Sequence, residues 1–282
     1  MPLPYDPSRK ALYKPEDRSS VFGTGPLDTL RLCSEASRLA YLRFDQSQAS
    51  GTVLANTLAL AGFTDAFQTF VHRPTDGAGY GVMNDDKVAL LVFRGTQADH
   101  MLDLITNIQF GLSSWNLGPG KVHRGFELTA LGLWKQVLPW LQGPAGHRQQ
   151  LLICGHSLGG AIASLLAVPA QANALVTFGS PRVGDAGFVQ GLAGLDSIRV
   201  VDCCDLVPLV PPTSLLLPYE HVGAFHYIDL SGTVHLSPSA AFMAQDQQQA
   251  ELDYAAHCKG FDNVVTRRLA DHAPINYIRA FW

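Results

Sequence analysis

Short apolar runs alternate with longer stretches of helical periodicity over most of this chain. Residues 88–93 and 151–154 are apolar and short enough to be buried strands, 172–178 reads as another buried strand and 198–202 as a further strand. Residues 27–44 carry apolar side chains at helical spacing, residues 52–61 predict a second helix, and residues 122–126 open a long helix reaching about Leu141. Alternating positions over 63–71 and the segment 80–83 predict two further strands. Residues 1–20, with Pro2, Pro4, Pro7 and Pro15 among polar residues, predict an extended N-terminal arm. From residue 88 onward strands alternate with helices, which predicts an α/β class with a mostly parallel sheet covered on both faces. No internal repeat or low-complexity linker interrupts it, so residues 21–282 read as a single domain.

One junction in this pattern is chemically pointed. The apolar run 151–154 passes directly into Gly155-His-Ser-Leu-Gly159, and then into a buried helical stretch over 161–168. A strand, a G-x-S-x-G turn and a helix in that order hold a serine in a sharp, exposed conformation. Gly155 and Gly159 remove the side chains that would clash in so tight a turn. The helix start aims unpaired N–H groups and a positive dipole end at the Ser157 oxygen. A plain strand-to-helix turn with a solvated serine is the alternative, and the flanking elements favour the nucleophile.

Composition narrows the field. At 47% hydrophobic and 16% charged residues, the 282-residue chain can fill a sizeable core under a sparse charge shell. A net charge of −4 and the lack of any Lys/Arg run omit the electrostatic footprint of nucleic-acid binding. No apolar stretch reaches the roughly 18 residues that span a bilayer. The opening residues have no apolar signal core, so the expectation is a cytoplasmic protein, with a leaderless export route or a removed leader as the alternative. The five cysteines are scattered apart from the adjacent Cys203 and Cys204, which weakly favours a reducing compartment. The ten histidines show no H-E-x-x-H or comparable ligand spacing, so no metal and no cofactor are expected. Gly118-Pro-Gly-Lys121 is not a phosphate loop, because Val122 follows the lysine and residue 115 is not glycine.

A serine nucleophile needs a base, an acid to orient it and oxyanion donors. In α/β-hydrolases the chain order is Ser, Asp, His. The later carboxylates are Asp185, Asp196, Asp202, Asp205 and Glu220. Asp185 stands at a helix start, as an ordinary cap. Asp205 lies just past a strand end in a loop stiffened by Pro208, Pro211 and Pro212, and is favoured over Asp202. Among His221, His226, His235, His257 and His272, spacing alone gives His272 only a modest preference. Thr96, at the end of the strand over 88–93, either presents a backbone N–H toward Ser157 or merely caps its own turn. Residues 100–110 place Met101, Leu104, Ile105 and Ile108 on one helical face, readable as a mobile lid or as an ordinary surface helix.

Seven segments, in order, resemble the class 3 lipases, the family of the filamentous-fungal triacylglycerol lipases. They are Val92-Phe-Arg-Gly-Thr96, Val122-His-Arg-Gly-Phe126, Gly155-His-Ser-Leu-Gly-Gly160, Phe178-Gly-Ser-Pro-Arg-Val-Gly184, Asp205-Leu-Val-Pro208 with Pro211 and Pro212, Tyr219-Glu-His-Val-Gly223, and Asp271-His272 with Tyr277. The resemblance implies an α/β-hydrolase fold, with Ser157 as nucleophile, Asp205 as acid and His272 as base. It assigns the oxyanion hole to Thr96 and to the backbone N–H of Leu158, and it makes His221 structural. The implied function is serine carboxylic-ester hydrolysis, foremost of acylglycerols at a membrane or droplet surface. Phospholipase A1 and feruloyl or short-chain esterase chemistry are the alternatives within hydrolases, and an acyltransferase or a non-catalytic lipid-binding module stand outside them. The apolar loop over 211–218, beside Asp205, suits an acyl chain or a lipid surface unless the N-terminal arm covers it.

Overall fold

A computed structural model describes residues 3–96, 111–258 and 260–282. The segment read as a lid or surface helix therefore lies outside the described residues. Ten strands are described: β1 Gln68–His72, β2 Gly77–Met83, β3 Val88–Phe93, β4 Leu112–Ser114, β5 Lys121–His123, β6 Gln150–His156, β7 Ala174–Phe178, β8 Asp196–Asp202, β9 Ala224–Ile228 and β10 Val234–Leu236. The described helices are α1 Arg9–Tyr13, α2 Thr29–Leu39, α3 Gln48–Ala59, α4 Arg124–Gln142, α5 Leu158–Leu166, α6 Ala186–Gly191, α7 Ala240–His257, α8 Arg267–Ala270 and α9 Pro274–Ile278.

Eight strands form one sheet in the order β1-β2-β3-β6-β7-β8-β9-β10, while β4 and β5 pair separately. The stretch from β3 through β6, β7, β8 to β9 is parallel throughout. The flanking pairs β1/β2, β2/β3 and β9/β10 are antiparallel. The mostly parallel sheet expected from the pattern is thus present. Alternation along each strand sends side chains to two separate cores. Leu91, Phe93, Leu151, Ile153 and Leu175 pack under α4 and α5. Leu90, Val92, Leu152, Cys154, Val176 and Phe178 pack under α2, α3 and Tyr277 of α9.

Helix starts follow local chemistry. Asp28, Ser47, Asp185 and Ser239 each accept a hydrogen bond from an orphan N–H of the first turn, so Asp185 is the cap its position predicted. Two boundaries move. The helix expected over 52–61 begins four residues earlier, after the Ser47 cap, and the strand expected over 63–71 is β1, which starts at Gln68, where pairing with β2 begins, and runs to His72.

Residues 3–20 are not simply extended. Ser8 caps α1 by accepting from the Ala11 N–H, and Pro15 starts a 3-10 turn over Pro15–Asp17. The segment is tied to residues far along the chain. Val264 N–H donates to Pro7 O and Arg9 N–H to Asp262 O, at 2.9 and 2.7 Å. It also meets Glu35 and Arg38, a buried pair on α2 2.5 Å apart, in which Arg38 donates to the carbonyls of Pro15 and Arg18 while Glu35 accepts from Ser20. The arm does not lie over the 211–218 loop, where Leu215 and Leu216 are 98% and 89% exposed.

Candidate active site

The parallel strands β6, β7 and β8 run side by side, so their C-terminal ends deliver Ser157, Gly179 and the turn after Asp202 to one edge of the sheet. Ser157 stands between β6 and α5 with φ +58° and ψ −131°, a conformation that side-chain-bearing residues rarely adopt. Its backbone is pinned by donation to Phe178 O at 2.9 Å. The elbow tolerates no bulk around it. A Cβ on Gly155 would strike the Gly159 carbonyl, and one on Gly159 would strike the Phe93 carbonyl. Leu158 opens α5, so its N–H has no acceptor within the helix. Gly95, just before Thr96, comes so close that an added Cβ would sit 2.9 Å from Ser157 Cβ. The end of β3 is therefore packed against the serine, with Thr96 next in the chain.

Asp205 sits in the turn after β8 and is 3% exposed. Its Oδ1 accepts from Val207 N–H at 2.9 Å, which fixes the carboxylate plane. Its Oδ2 accepts from His272 Nδ1 at 2.7 Å and from the Tyr277 hydroxyl at 2.5 Å. Asp202 is one turn away on the strand itself and reaches no histidine; its carboxylate oxygens accept no hydrogen bond among the described residues. Of these two carboxylates, Asp205 is the one that meets His272.

His272 lies between α8 and α9 and is 1% exposed. The Nδ1 proton that binds Asp205 leaves Nε2 as a lone-pair acceptor. That Nε2 and Ser157 Oγ are both buried, and neither has a hydrogen-bond partner among the described residues. Gly179, at φ +56°, is what lets these groups converge. A Cβ there would stand 2.8 Å from Asp205 Oδ2, 2.9 Å from the Tyr277 hydroxyl and 3.1 Å from His272 Cε1.

A second layer holds the ring. His156, within the elbow motif, stacks tilted on His272 with centroids 4.5 Å apart and takes the Tyr41 hydroxyl at 2.8 Å on its Nδ1. Burial, then the neighbouring His272, keeps its pKa well below the ordinary imidazole value, so it stays neutral. Asp271 joins the turn of Asp205 to that of His272. It accepts from Cys204 N–H at 2.9 Å, from Arg267 at 3.1 Å and from the Tyr5 hydroxyl at 2.7 Å. Tyr5, Tyr41 and the hydroxyl of Tyr277 escape sequence reasoning, because each contact spans at least 72 residues and leaves no local spacing.

The remaining histidines lie elsewhere. His221 is half-buried, and burial together with Arg199 and Arg182 holds its pKa down to about 3. His226 is in β9, His235 in β10 bonded to Asp229 at 2.7 Å, and His257 at the end of α7. Among the described residues, one cluster brings three metal-type donors within 4.8 Å of each other: Cys203, Cys204 and Asp271. Its carboxylate is already engaged by Arg267, Tyr5 and Cys204.

Comparison with known proteins adds a lineage to this geometry. Residues 90–215 match the family model "Lipase (class 3)". The chain is 33% identical over 180 residues to a lipase of Rhizopus niveus, covering 58% of this chain and 45% of that protein. It is 30% identical over 167 residues to secreted mono- and diacylglycerol lipase 1 of Fusarium solani, covering 54% and 48%. The chain thus spans about half the length of the curated relatives it matches. The solved structure of lipase II from Rhizopus niveus superposes with a TM-score of 0.58 at 25% identity, over 71% of this chain and 79% of that one, which places the sheet and its helices in the α/β-hydrolase fold. The matched segment carries the serine elbow, the Gly95-Thr96 end of β3 and the Asp205 turn, and over it the chain is similar to the class 3 lipases.

Proposed function

We propose that this protein is a serine carboxylic-ester hydrolase that acts on acylglycerols, with Ser157 as nucleophile, His272 as general base and Asp205 as the orienting acid. The observation that carries the reading is the buried line from Tyr277 through Asp205 to His272, whose Nε2 is unpartnered, as is the buried Ser157 Oγ, while the ring of His156, next to Ser157 in the chain, stacks on His272. His272 Nε2 takes the Ser157 proton as Oγ attacks the ester carbonyl, and Asp205 stabilises the imidazolium that forms. The oxyanion meets the backbone N–H of Leu158 and of Thr96, held beside the elbow by Gly95. His272 then protonates the departing alcohol, and water clears the acyl-enzyme by the reverse sequence.

The lipid preference rests on two supports. The relatives named above are lipases, and the loop after Asp205 presents Leu209, Leu215 and Leu216 to the surface, where an aggregated lipid can meet them. No described helix is long and apolar enough to cross a membrane. The test is a chain-length series of p-nitrophenyl esters run beside an acylglycerol emulsion, a phospholipid and methyl ferulate. Hydrolysis strongest on acylglycerols, with covalent labelling of Ser157 by an organophosphate, is the expected result. Absence of labelling would remove the nucleophile assignment, and preference for the ferulate or the phospholipid would move the substrate class.

A further inference from the structure

Cys203 and Cys204 stand on the last turn before Asp205, with their Sγ atoms 3.6 Å apart. Cys203 has φ +20°, and its thiol donates to Asp246 at 3.2 Å, while the Cys204 thiol donates to Gln247 O at 3.6 Å. Both side chains also line a cavity of about 450 Å³ at the face of α7, whose rim includes the exposed Ala244, Gln248 and Arg268. The other buried cysteines differ: Cys33 and Cys154 lie inside the apolar core under α2. A paired thiol with a path to solvent is a chemical feature that ester hydrolysis does not use.

We infer that Cys203 and Cys204 are a redox-modification site, a vicinal dithiol that a peroxide converts reversibly into a cyclic disulfide, and that closing this ring disables the adjoining Asp205–His272 pair. The contact with Cys204, then burial, holds the Cys203 thiol protonated, and the step is written with Cys204 as the first sulfur to react. Its sulfur attacks a peroxide oxygen and becomes a sulfenic acid as one water leaves. Cys203 Sγ then attacks that sulfur, forms the S–S bond and expels the second water. Hydrogen peroxide is reduced to two waters, and two thiols become one disulfide.

The ring must draw the sulfurs from 3.6 Å to about 2.05 Å. Adjacent α-carbons stand about 3.8 Å apart across a trans peptide, closer than ordinary disulfides allow, so the product is strained and readily reduced. The movement acts on a peptide already tied at Cys204 N–H to Asp271 and continuous with Asp205, the two residues that fix His272.

The experiment treats the full chain, in a Cys258→Ser background that removes the more accessible thiol, with hydrogen peroxide. Intact mass, peptide mapping and ester hydrolysis are followed before and after dithiothreitol. The expected result is a loss of about 2 Da mapping to a 203–204 disulfide. Activity should fall about tenfold or more with it and return on reduction. Cys203→Ser and Cys204→Ser should each lose the mass change and keep their activity through the treatment. Phenylarsine oxide should bind once per chain, and not at all in either variant. A disulfide that forms with activity intact overturns the coupling to the site, and oxygen addition without a disulfide overturns the pair itself. The mass readout needs no turnover, so a chain that hydrolyses no ester would overturn the proposed function while the dithiol is still judged on its own.

Discussion

Tyr277 gives Asp205 Oδ2 a second donor beside His272, and its hydroxyl also accepts from the Asp202 N–H at 3.2 Å. Tyr277→Phe should keep the fold and lower kcat about tenfold, since a hydrogen bond to a charged group is worth about 1.5–3 kcal/mol, with little change in KM. Steady-state kinetics on a soluble ester checks this, and an unchanged kcat would reduce the hydroxyl to filler. Ser157→Ala should remove activity by a factor on the order of 10⁴–10⁶, and Asp205→Asn by about 10⁴ through the wrong imidazole tautomer. Asp202→Asn is the control, and it tests stability instead. Burial, reinforced by Asp271, pushes the Asp202 carboxyl well above the usual range, with Arg279 3.7 Å away as partial relief. The folded chain therefore keeps a proton that the unfolded chain loses near pH 3.9, and stability falls as pH rises from there through the raised folded value. Asp202→Asn should melt higher than the parent at pH 8, with the gap closing toward pH 4. A gap of constant size over that range would contradict the assignment.

Among elements, the β6–α5 junction has the least tolerance. Gly155→Ala or Gly159→Ala forces a Cβ into backbone that has nowhere to go, and should cost more than about 4 kcal/mol or prevent folding, read by thermal melts of purified protein. This junction is also where sequence and structure agree most closely. Strand, turn and helix are consecutive there, so the chemistry of the turn sits in five neighbouring residues. The choice between Asp205 and Asp202 was harder to read, because both stand at the end of β8 and only the direction of the turn after it decides which carboxylate meets His272. The layer of Tyr5, Tyr41 and Tyr277 hydroxyls was invisible, since each bond joins segments that no periodicity relates. The N-terminal arm misled in another way. Residues 3–7 do carry no regular element, but Ser8 supplies a cap that starts a helix over the next turn.

At the scale of the whole molecule, acid should loosen the fold through two imidazoles that it keeps neutral. His156 is held well below its ordinary pKa and His221 down to about 3, so below pH 6.5 the unfolded chain binds protons that the folded chain refuses. Stability is present above that pH and is lost as pH falls toward the folded values. His221→Gln should flatten the slope by up to about 1.4 kcal/mol per pH unit below pH 6, measured by urea titration at several pH values. The arm adds a different dependence: Tyr5 and Asp6 fasten directly to Asp271 and Asn276, on either side of His272. The elbow and the base are far apart in the order of translation. At about 5–20 residues per second, a growing chain carries Ser157 for on the order of ten seconds before His272 is made. Through that interval the polypeptide holds Ser157 without His272, so on the proposed function it cannot yet attack an ester. A fluorophosphonate should accordingly label stalled nascent chains only once the residues through Tyr277 have cleared the exit tunnel.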